Sequence, residues 1–165
     1  MIQLYTDGSF VKEDANQKRA HGGCFIYWRD KNNEPQMKQY HFTCRNSTYA
    51  SSRNVSGELL AVVQGLKRVV ELCDPDEILL TYDYEGVGKW ANGQWKTNKG
   101  LTIGYAKMMR DFVIAHPNYP IKWRWVHGHD GDIGNEYADK CATVRDETSA
   151  RNNDVEWIDE DPKFC

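Results

Sequence analysis

The sequence lacks long apolar runs, closely spaced cysteines and repeats. Its longest apolar runs, such as Ile78–Leu80, are far too short to cross a bilayer, which argues against a membrane role. The five cysteines lie far apart, and no signal-like apolar segment precedes them, so we expect reduced thiols in a cytoplasmic protein. The 165 residues, 40% hydrophobic and with six tryptophans, suffice for one domain with a single core.

The chain also lacks the positive charge that is typical of nucleic-acid-binding proteins, since its formal net charge is −3. Residues from Asp154 onward contain five carboxylates and one lysine, so the rest of the chain is close to neutral. This balance predicts modest, salt-sensitive affinity for phosphate groups. We expect residues 1–148 to form the folded domain and residues 149–165 an acidic, partly ordered tail, which is either solvated or competes with a ligand for basic surface.

Apolar periodicity predicts a mixed sheet with helices on its faces. Alternation over Ile2–Phe10 predicts a strand with Leu4 on one face and Asp7 on the other, and strands over Gly22–Arg29 and Met37–Cys44 follow through short turns. The other predicted elements are helices over 55–73, 84–91 and 101–115, strands over 77–82 and 121–127, and a last helix after residue 134. Three meandering strands followed by alternating helices and strands indicate an α/β fold.

Four carboxylates stand in or beside these elements: Asp7 in the first strand, Glu58 in the first turn of a helix, Asp83 at the end of a strand and Asp139 opening the last helix. Considered alone, each of these carboxylates can be interpreted as a turn, cap or surface residue, because most carboxylates in proteins are simply solvated. Carboxylates deep in regular elements need a partner, however. Magnesium prefers such hard oxygen ligands, and two ions about 4 Å apart promote in-line displacement at phosphorus.

Four sequence blocks carry a family resemblance. They are YTDGS at 5–9, NVSGELLA at 54–61, LTYD at 80–83, and WVHGHDG at 125–131, which continues as GNEYAD at 134–139. In order and spacing the blocks resemble type 1 ribonucleases H over about residues 2–145. The resemblance implies a ribonuclease H-like fold, in which a mixed five-stranded sheet of order 3-2-1-4-5, its first three strands antiparallel, is flanked by helices. It also implies that residues 1–148 are a catalytic domain.

The activity that the resemblance implies is that of a metal-dependent endonuclease, a hydrolase that cuts the RNA strand of RNA–DNA hybrids and leaves 5′-phosphate and 3′-hydroxyl ends. By position, Asp7, Glu58, Asp83 and Asp139 are the catalytic metal ligands for two Mg²⁺ ions, with Mn²⁺ as an alternative. His129 matches a mobile histidine that assists proton transfer or product release, which suits a glycine-flanked position. The alternative for His129 is a surface histidine without a role.

Hybrid recognition is expected to depend on minor-groove shape and on 2′-hydroxyl contacts. The candidate contacts are Gly8, Ser9 and Asn54 to the RNA strand and Asn92, Trp95 and Thr97 to the DNA backbone. Asn54 is alternatively a helix N-cap, and Trp95 a core or turn aromatic.

Two departures from the family pattern concern substrate contacts. Val55 and Glu85 stand where many members carry amide side chains, so base-edge contacts are expected to differ while catalysis is not. The segment over 90–97 is short compared with members that have a basic protrusion, and Lys89, Lys96 and Lys99 are the cations available there.

Two other classes of function stay open. The first is a different nuclease on the same fold, such as a resolvase, an exonuclease or a reverse-transcriptase-associated domain. The second is a non-catalytic nucleic-acid-binding or protein-interaction module. The HGHDG loop and the order of the blocks favour hybrid cleavage, and the four carboxylates argue against a binding module, because an acidic cluster repels phosphate. We expect a monomer that binds an RNA–DNA hybrid and does not bind membranes.

Overall fold

The structure is a computed structural model that describes residues 1–10, 19–45, 54–127 and 131–162. Within these ranges the strands are β1 (Ile2–Ser9), β2 (Ala20–Arg29), β3 (Pro35–Cys44), β4 (Ile78–Tyr82), β5 (Ile121–Trp125) and β6 (Glu156–Asp159). The helices are α1 (Asn54–Leu72), α2 (Gly86–Ala91), α3 (Gly100–Ala115), α4 (Ile133–Thr143) and α5 (Glu147–Asn152).

The strands form one six-stranded sheet in the order β5-β4-β1-β2-β3-β6. Strands β1, β2 and β3 are an antiparallel meander, in which Cys24 of β2 pairs with Thr6 of β1 and Tyr40 of β3. Strand β4 is parallel to β1, and β5 is parallel to β4. The predicted α/β class and the order 3-2-1-4-5 are therefore confirmed, and β6 adds a sixth strand beside β3.

Helices α1 and α4 cover opposite faces of the central strands. The apolar positions Leu59, Val62 and Leu66 recur at three and four residues in α1, and all three are buried. In β1, Leu4 packs on α1 and its neighbour Tyr5 packs on α4, as expected for side chains that alternate along a strand. Asp7 lies on the Tyr5 face of β1, as its alternation predicts, and is buried there.

Two glycines let these helices lie directly against β2. A Cβ atom at Gly57 of α1 would overlap the carbonyl oxygen of His21, and a Cβ atom at Gly23 of β2 would overlap the backbone of Ala142 in α4. No other residue type permits this approach of backbones. Because Gly57 directly precedes Glu58, the contact fixes the position of that carboxylate above the sheet.

The C-terminal segment corrects the prediction of a partly ordered tail. The predicted boundary at residue 148 falls within α5, and β6 pairs in parallel with β3. The Asp146 carboxylate caps α5 by accepting a hydrogen bond from the Ser149 amide, and Trp157 of β6 stacks on His41 with ring centroids 4.3 Å apart. Residues 147–159 thus extend the fold.

The acidic side chains of this segment pair with cations of neighbouring elements. Arg68 of α1 is buried, and its Nη2 atom lies 2.9 Å from Oε2 of Glu160. At the sheet edge, Arg45 pairs with Asp159 at 3.4 Å and Lys38 with Glu156 at 3.5 Å. The negative charge that looked like a solvated tail therefore faces positive charge on the sheet edge and on α1.

Two predicted boundaries near the C-terminal half are also corrected. Strand β5 ends at Trp125, so His127 follows the strand and is exposed. Helix α4 begins at Ile133, where Asp132 accepts a hydrogen bond from the Asn135 amide at 3.0 Å, so Asp139 lies well inside the helix and does not open it. Within the described ranges, no helix combines the length and apolar character that crossing a membrane requires.

Candidate active site

The parallel pairing of β1 and β4 brings two carboxylates to the same edge of the sheet. The register pairs Leu4 with Leu80 and Tyr5 with Thr81. Continued by two residues, the same register places Asp7 beside Asp83. Side chains at corresponding ends of adjacent parallel strands are neighbours, so the strand pairing alone juxtaposes these two acids.

Helix α1 supplies the third carboxylate of the cluster. Carboxylate oxygens of Asp7, Glu58 and Asp83 all lie within 4.8 Å of one another. Asp7 and Glu58 are each 4% exposed, whereas Asp83 is half-buried and gives the cluster an open side. We call these three side chains, together with Asp139 of α4, the acidic centre. Asp139 contacts the Asp7 carboxyl but does not belong to the tight group of three.

The acidic centre is electrostatically strained. Burial, followed by the charge of Asp83, raises the pKa of Asp7 to about 8, and Asp139 adds to the effect. Burial and then the charges of Asp7 and Asp83 raise the pKa of Glu58 well above its ordinary value. The pKa of Asp83 is raised mainly by burial. Carboxylates that stand together without counter-charge hold protons that a cation can displace.

The donor set fits a divalent cation. The Oε2 atom of Glu58 is buried and has no hydrogen-bond partner among the described residues, although most buried polar atoms have one. Among the described residues, no lysine or arginine forms an ion pair with Asp7, Glu58 or Asp83. Three close carboxylates, one of them with an orphaned oxygen, are the hard ligands that Mg²⁺ and Mn²⁺ accept.

Backbone contacts hold two of these acids in place. The Gly8 amide donates to Oδ1 of Asp7 at 2.9 Å, and the indole Nε1 of Trp125 donates to the carbonyl oxygen of Asp83 at 3.0 Å. Trp125 was not among the predicted residues of this site. The available signal is its register, because Trp125 pairs with Tyr82, the residue directly before Asp83.

The predicted RNA-strand contacts lie at the same edge only in part. Gly8 and Ser9 are the last two residues of β1, directly after Asp7, and Ser9 is buried. Asn54 is the first residue of α1, but its side chain lies outside the described part of the structure. His129 also lies outside the described residues, so its predicted role stays a prediction.

The predicted DNA-strand contacts lie around the end of α2, in a segment separate from the acidic centre. Asn92 directly follows α2, and its Oδ1 atom accepts a hydrogen bond from the Gln94 amide at 3.2 Å. Trp95 is 36% exposed and packs edge-on against Trp90, with ring centroids 5.4 Å apart. Thr97 is half-buried.

A depression of about 310 Å³ adjoins this segment. Its lining includes Trp90, Val55 of α1, and the two cations Lys96 and Lys99. The departure noted at Val55 therefore places an apolar side chain in the wall of a groove that two lysines flank.

Comparison with known proteins identifies the family. The RNase H family model matches residues 1–146. The Ribonuclease H of Xanthomonas campestris pv. campestris is 34% identical over 149 residues, which are 86% of this chain and 89% of that protein. The family-model match extends over the acidic centre and the strands that carry it.

Solved structures share the fold at low sequence identity. RNase H1 from the archaeon Halobacterium salinarum has a TM-score of 0.59 at 18% identity, covering 92% of this chain and 98% of that one. LC11-RNase H1, solved in complex with an RNA/DNA hybrid, has a TM-score of 0.56 at 13% identity, and the match covers 86% of this chain and 96% of that one. With its sheet order, its acidic centre and a family match over nearly nine-tenths of its length, this chain belongs to the RNase H family of hydrolases.

Proposed function

We propose that this protein is an endoribonuclease that hydrolyses the RNA strand of RNA–DNA hybrids and leaves 5′-phosphate and 3′-hydroxyl ends. The observation that carries the proposal is the cluster of Asp7, Glu58 and Asp83, whose carboxylate oxygens lie within 4.8 Å of one another without a protein cation between them in the described residues. Family membership supports the same activity.

In this proposal, Asp7, Glu58, Asp83 and Asp139 hold two divalent ions, Mg²⁺ or Mn²⁺. When bound, the ions would supply an activated water and would stabilise the entering and leaving oxygens at the scissile phosphate. Burial of Asp7 and Glu58 excludes water from one side of the cluster and strengthens its hold on cations. The half-buried Asp83 leaves the other side open to a phosphate.

His129 is proposed to assist proton transfer or product release, because its position in the HGHDG block matches that of the family's mobile histidine. Gly8 and Ser9 directly follow Asp7 at the end of β1, so we assign the RNA strand to this edge. Asn54 is proposed to contact the same strand.

The DNA strand is assigned to the groove near the end of α2. Lys96 and Lys99 flank it, and Asn92, Trp95 and Thr97 lie in the adjoining segment. Lysines attract phosphates without reading sequence, and an exposed tryptophan edge can pack on a sugar. Shape and 2′-hydroxyl contacts would then distinguish a hybrid from duplex DNA.

We also propose a monomeric, cytoplasmic enzyme. The thiols of Cys24, Cys73 and Cys141 are buried, and burial raises their pKa, as is typical of unreactive cysteines in a reducing compartment. Light scattering at enzyme concentrations used for assays would test the monomer, and a dimer mass would contradict it.

The decisive assay uses an RNA–DNA hybrid labelled at either RNA end. Labelled single-stranded RNA, duplex RNA, duplex DNA and a four-way junction are tested separately as alternative substrates. We expect cleavage of the hybrid only, dependent on Mg²⁺ and abolished by a chelator, with 5′-phosphate and 3′-hydroxyl products. Asp7→Asn should remove the activity and keep the fold, while Asp111→Asn, an exposed acid on α3, should change neither. Preferred cutting of junctions, or full activity of Asp7→Asn, would overturn the proposal.

A further inference from the structure

One contact at the active-site edge has no part in the chemistry above. The guanidinium Nη2 of Arg145 donates a hydrogen bond to Oγ of Ser9, with 2.5 Å between the two atoms. The two residues are 136 positions apart in the chain. Ser9 is the last residue of β1 and stands two residues after Asp7. The contact therefore lies about 7 Å along the strand from a residue of the acidic centre.

The same helix brings Asp139 and Arg145 to β1. Helix α4 ends at Thr143, and the chain turns to an extended conformation at Val144, which directs Arg145 toward the end of the strand. Arg145 is half-buried and lines a depression of about 530 Å³ that opens to solvent and that Lys140 of α4 also lines. Arg145 thus contacts Ser9 and also borders a depression that solvent enters.

Two arginines lie near the contact, and Asp146 lines the same depression as Arg145 and Lys140. His21 pairs with Ser9 across β1 and β2, and its pKa is lowered to about 4 by burial and by the charges of Arg145 and Arg19. Two guanidinium groups therefore stand within electrostatic reach of one β-strand end, next to a cluster of carboxylates.

The chemistry of the pair suits a phosphate. A guanidinium presents several N–H donors in a planar fork that matches phosphate oxygens. A serine hydroxyl that accepts a hydrogen bond from arginine still has its own hydrogen to donate, and it can share the same anion. A separation of two strand residues corresponds to about one nucleotide step along a backbone.

We propose that Ser9 and Arg145 bind a backbone phosphate of the RNA strand, one step from the scissile phosphate, and that Arg145 contributes to substrate binding. The inference rests on the proposed function, because it takes an RNA–DNA hybrid as the ligand. The competing explanation is a purely structural contact that fastens the end of α4 to β1.

The test compares Arg145→Ala, Arg145→Lys and Ser9→Ala with Arg29→Ala as the matched control. Arg29 likewise uses its guanidinium to donate a hydrogen bond to a protein oxygen, the carbonyl oxygen of Asn33 at 2.8 Å, but it lies at the opposite end of β2. For each variant, KM and kcat for hybrid are measured over a series of salt concentrations, together with Tm.

For Arg145→Ala we expect KM to rise about tenfold, kcat to change less than about threefold, and the slope of log KM against log salt to fall by about one. Arg145→Lys should keep most of the salt slope, since it keeps the charge. Arg29→Ala should leave KM and slope unchanged. A lower Tm for Arg145→Ala with an unchanged salt slope would overturn the inference in favour of the structural contact.

A second experiment locates the phosphate. One neutral methylphosphonate linkage is moved along the RNA strand, and then along the DNA strand, of the same hybrid. At one RNA position near the cleavage site, the neutral linkage should weaken binding by the wild type about tenfold and binding by Arg145→Ala hardly at all. Equal sensitivity of both proteins at every RNA position would overturn the inference, as would a difference found only on the DNA strand.

Binding of the hybrid measured by fluorescence anisotropy separates this inference from the proposed function. Arg145-dependent binding of hybrid without cleavage would contradict the proposed function and support the inference. Cleavage of hybrid with Arg145-independent binding would support the proposed function and contradict the inference.

Discussion

The acidic centre and the β6 edge hold the same kind of side chain in opposite surroundings. In the acidic centre, Asp7, Glu58 and Asp83 face one another within 4.8 Å. At the β6 edge, Glu160 faces Arg68 at 2.9 Å and Asp159 faces Arg45 at 3.4 Å. The first arrangement raises carboxyl pKa values, whereas the second neutralises charge within the protein.

The difference in surroundings determines which acids are available to an external cation. Carboxylates at the β6 edge have partners that form with the fold, so they contribute to stability and hold the added strand. Carboxylates of the acidic centre destabilise the folded protein when they are charged, and such strain persists where it serves function. The number of acidic residues in a segment is therefore a poorer guide to function than what each one faces.

The largest expected difference between the two regions is in activity. Glu58→Gln should lower kcat for Mg²⁺-dependent hybrid cleavage by about a thousandfold, because it removes a charged ligand from the acidic centre. Glu160→Gln, the same substitution at the β6 edge, should change kcat by less than about twofold. Single-turnover rates at saturating Mg²⁺ measure both. Similar losses in the two variants would show that catalysis depends on the β6 edge as much as on the acidic centre.

The next effect is on the pH dependence of stability without metal. The pKa of Asp7 is raised from 3.8 to about 8 in the folded protein, so the folded state binds the proton more tightly than the unfolded state. The resulting stabilisation is complete below about pH 4 and is lost as pH rises through about 8, on the order of a few kcal/mol. Urea unfolding with a chelator present should show this decline.

Two controls accompany that pH series. Asp7→Asn should flatten the decline, since the amide does not titrate. Added Mg²⁺ should raise stability near pH 8 in the wild type, because the ion replaces the displaced protons. Metal-free stability that increases from pH 4 to pH 8 would show that the acidic centre is not strained as described.

A smaller effect is expected on the free energy of unfolding, which the same substitution should change in opposite directions in the two regions. Without metal at pH 8, Glu58→Gln should stabilise the protein by about 1–2 kcal/mol, because it relieves repulsion with Asp7 and Asp83. Glu160→Gln should destabilise it by about 1 kcal/mol, since among the described residues the buried Arg68 then keeps Glu71 alone as an ion-pair partner. The free energy of unfolding in urea measures both, and changes of equal sign would contradict the comparison.

The smallest effect is expected at the exposed edge pair. Lys38 and Glu156 lie 3.5 Å apart and both side chains are more than a third exposed. Glu156→Gln should therefore change stability by less than about 0.5 kcal/mol and leave cleavage unchanged. A larger loss would mean that charge pairing, in addition to the strand hydrogen bonds and the Trp157 stacking, holds β6 on β3.

The sequence predicted the elements whose pattern is local. The apolar period of α1, the alternation in β1 and the placement of Asp83 after a buried strand follow from rules that act within a few residues. The convergence of Asp7 and Asp83 then follows because their strands are adjacent and parallel. Glycine beside Glu58 was an unused signal, since Gly57 permits the close approach of α1 to β2.

Other features depend on contacts that no local pattern carries. Strand β6 has four residues, and Glu156 and Asp159 at its ends made it look like part of a solvated tail. Only its pairing with β3, more than a hundred residues earlier, makes it a strand. The start of α4 was misplaced because the segment before it is rich in glycine and aspartate, and the capping role of Asp132 follows from its hydrogen bond to the Asn135 amide.

The most direct test of the acidic centre as a cation site is isothermal titration calorimetry with Mg²⁺ and Mn²⁺ near pH 7, in two buffers of different ionisation enthalpy. We expect binding that releases protons in the wild type, binding at least about tenfold weaker in Asp7→Asn, and unchanged binding in Asp159→Asn at the β6 edge. An isotherm for Asp7→Asn that matches the wild type, or binding without proton release, would contradict this expectation.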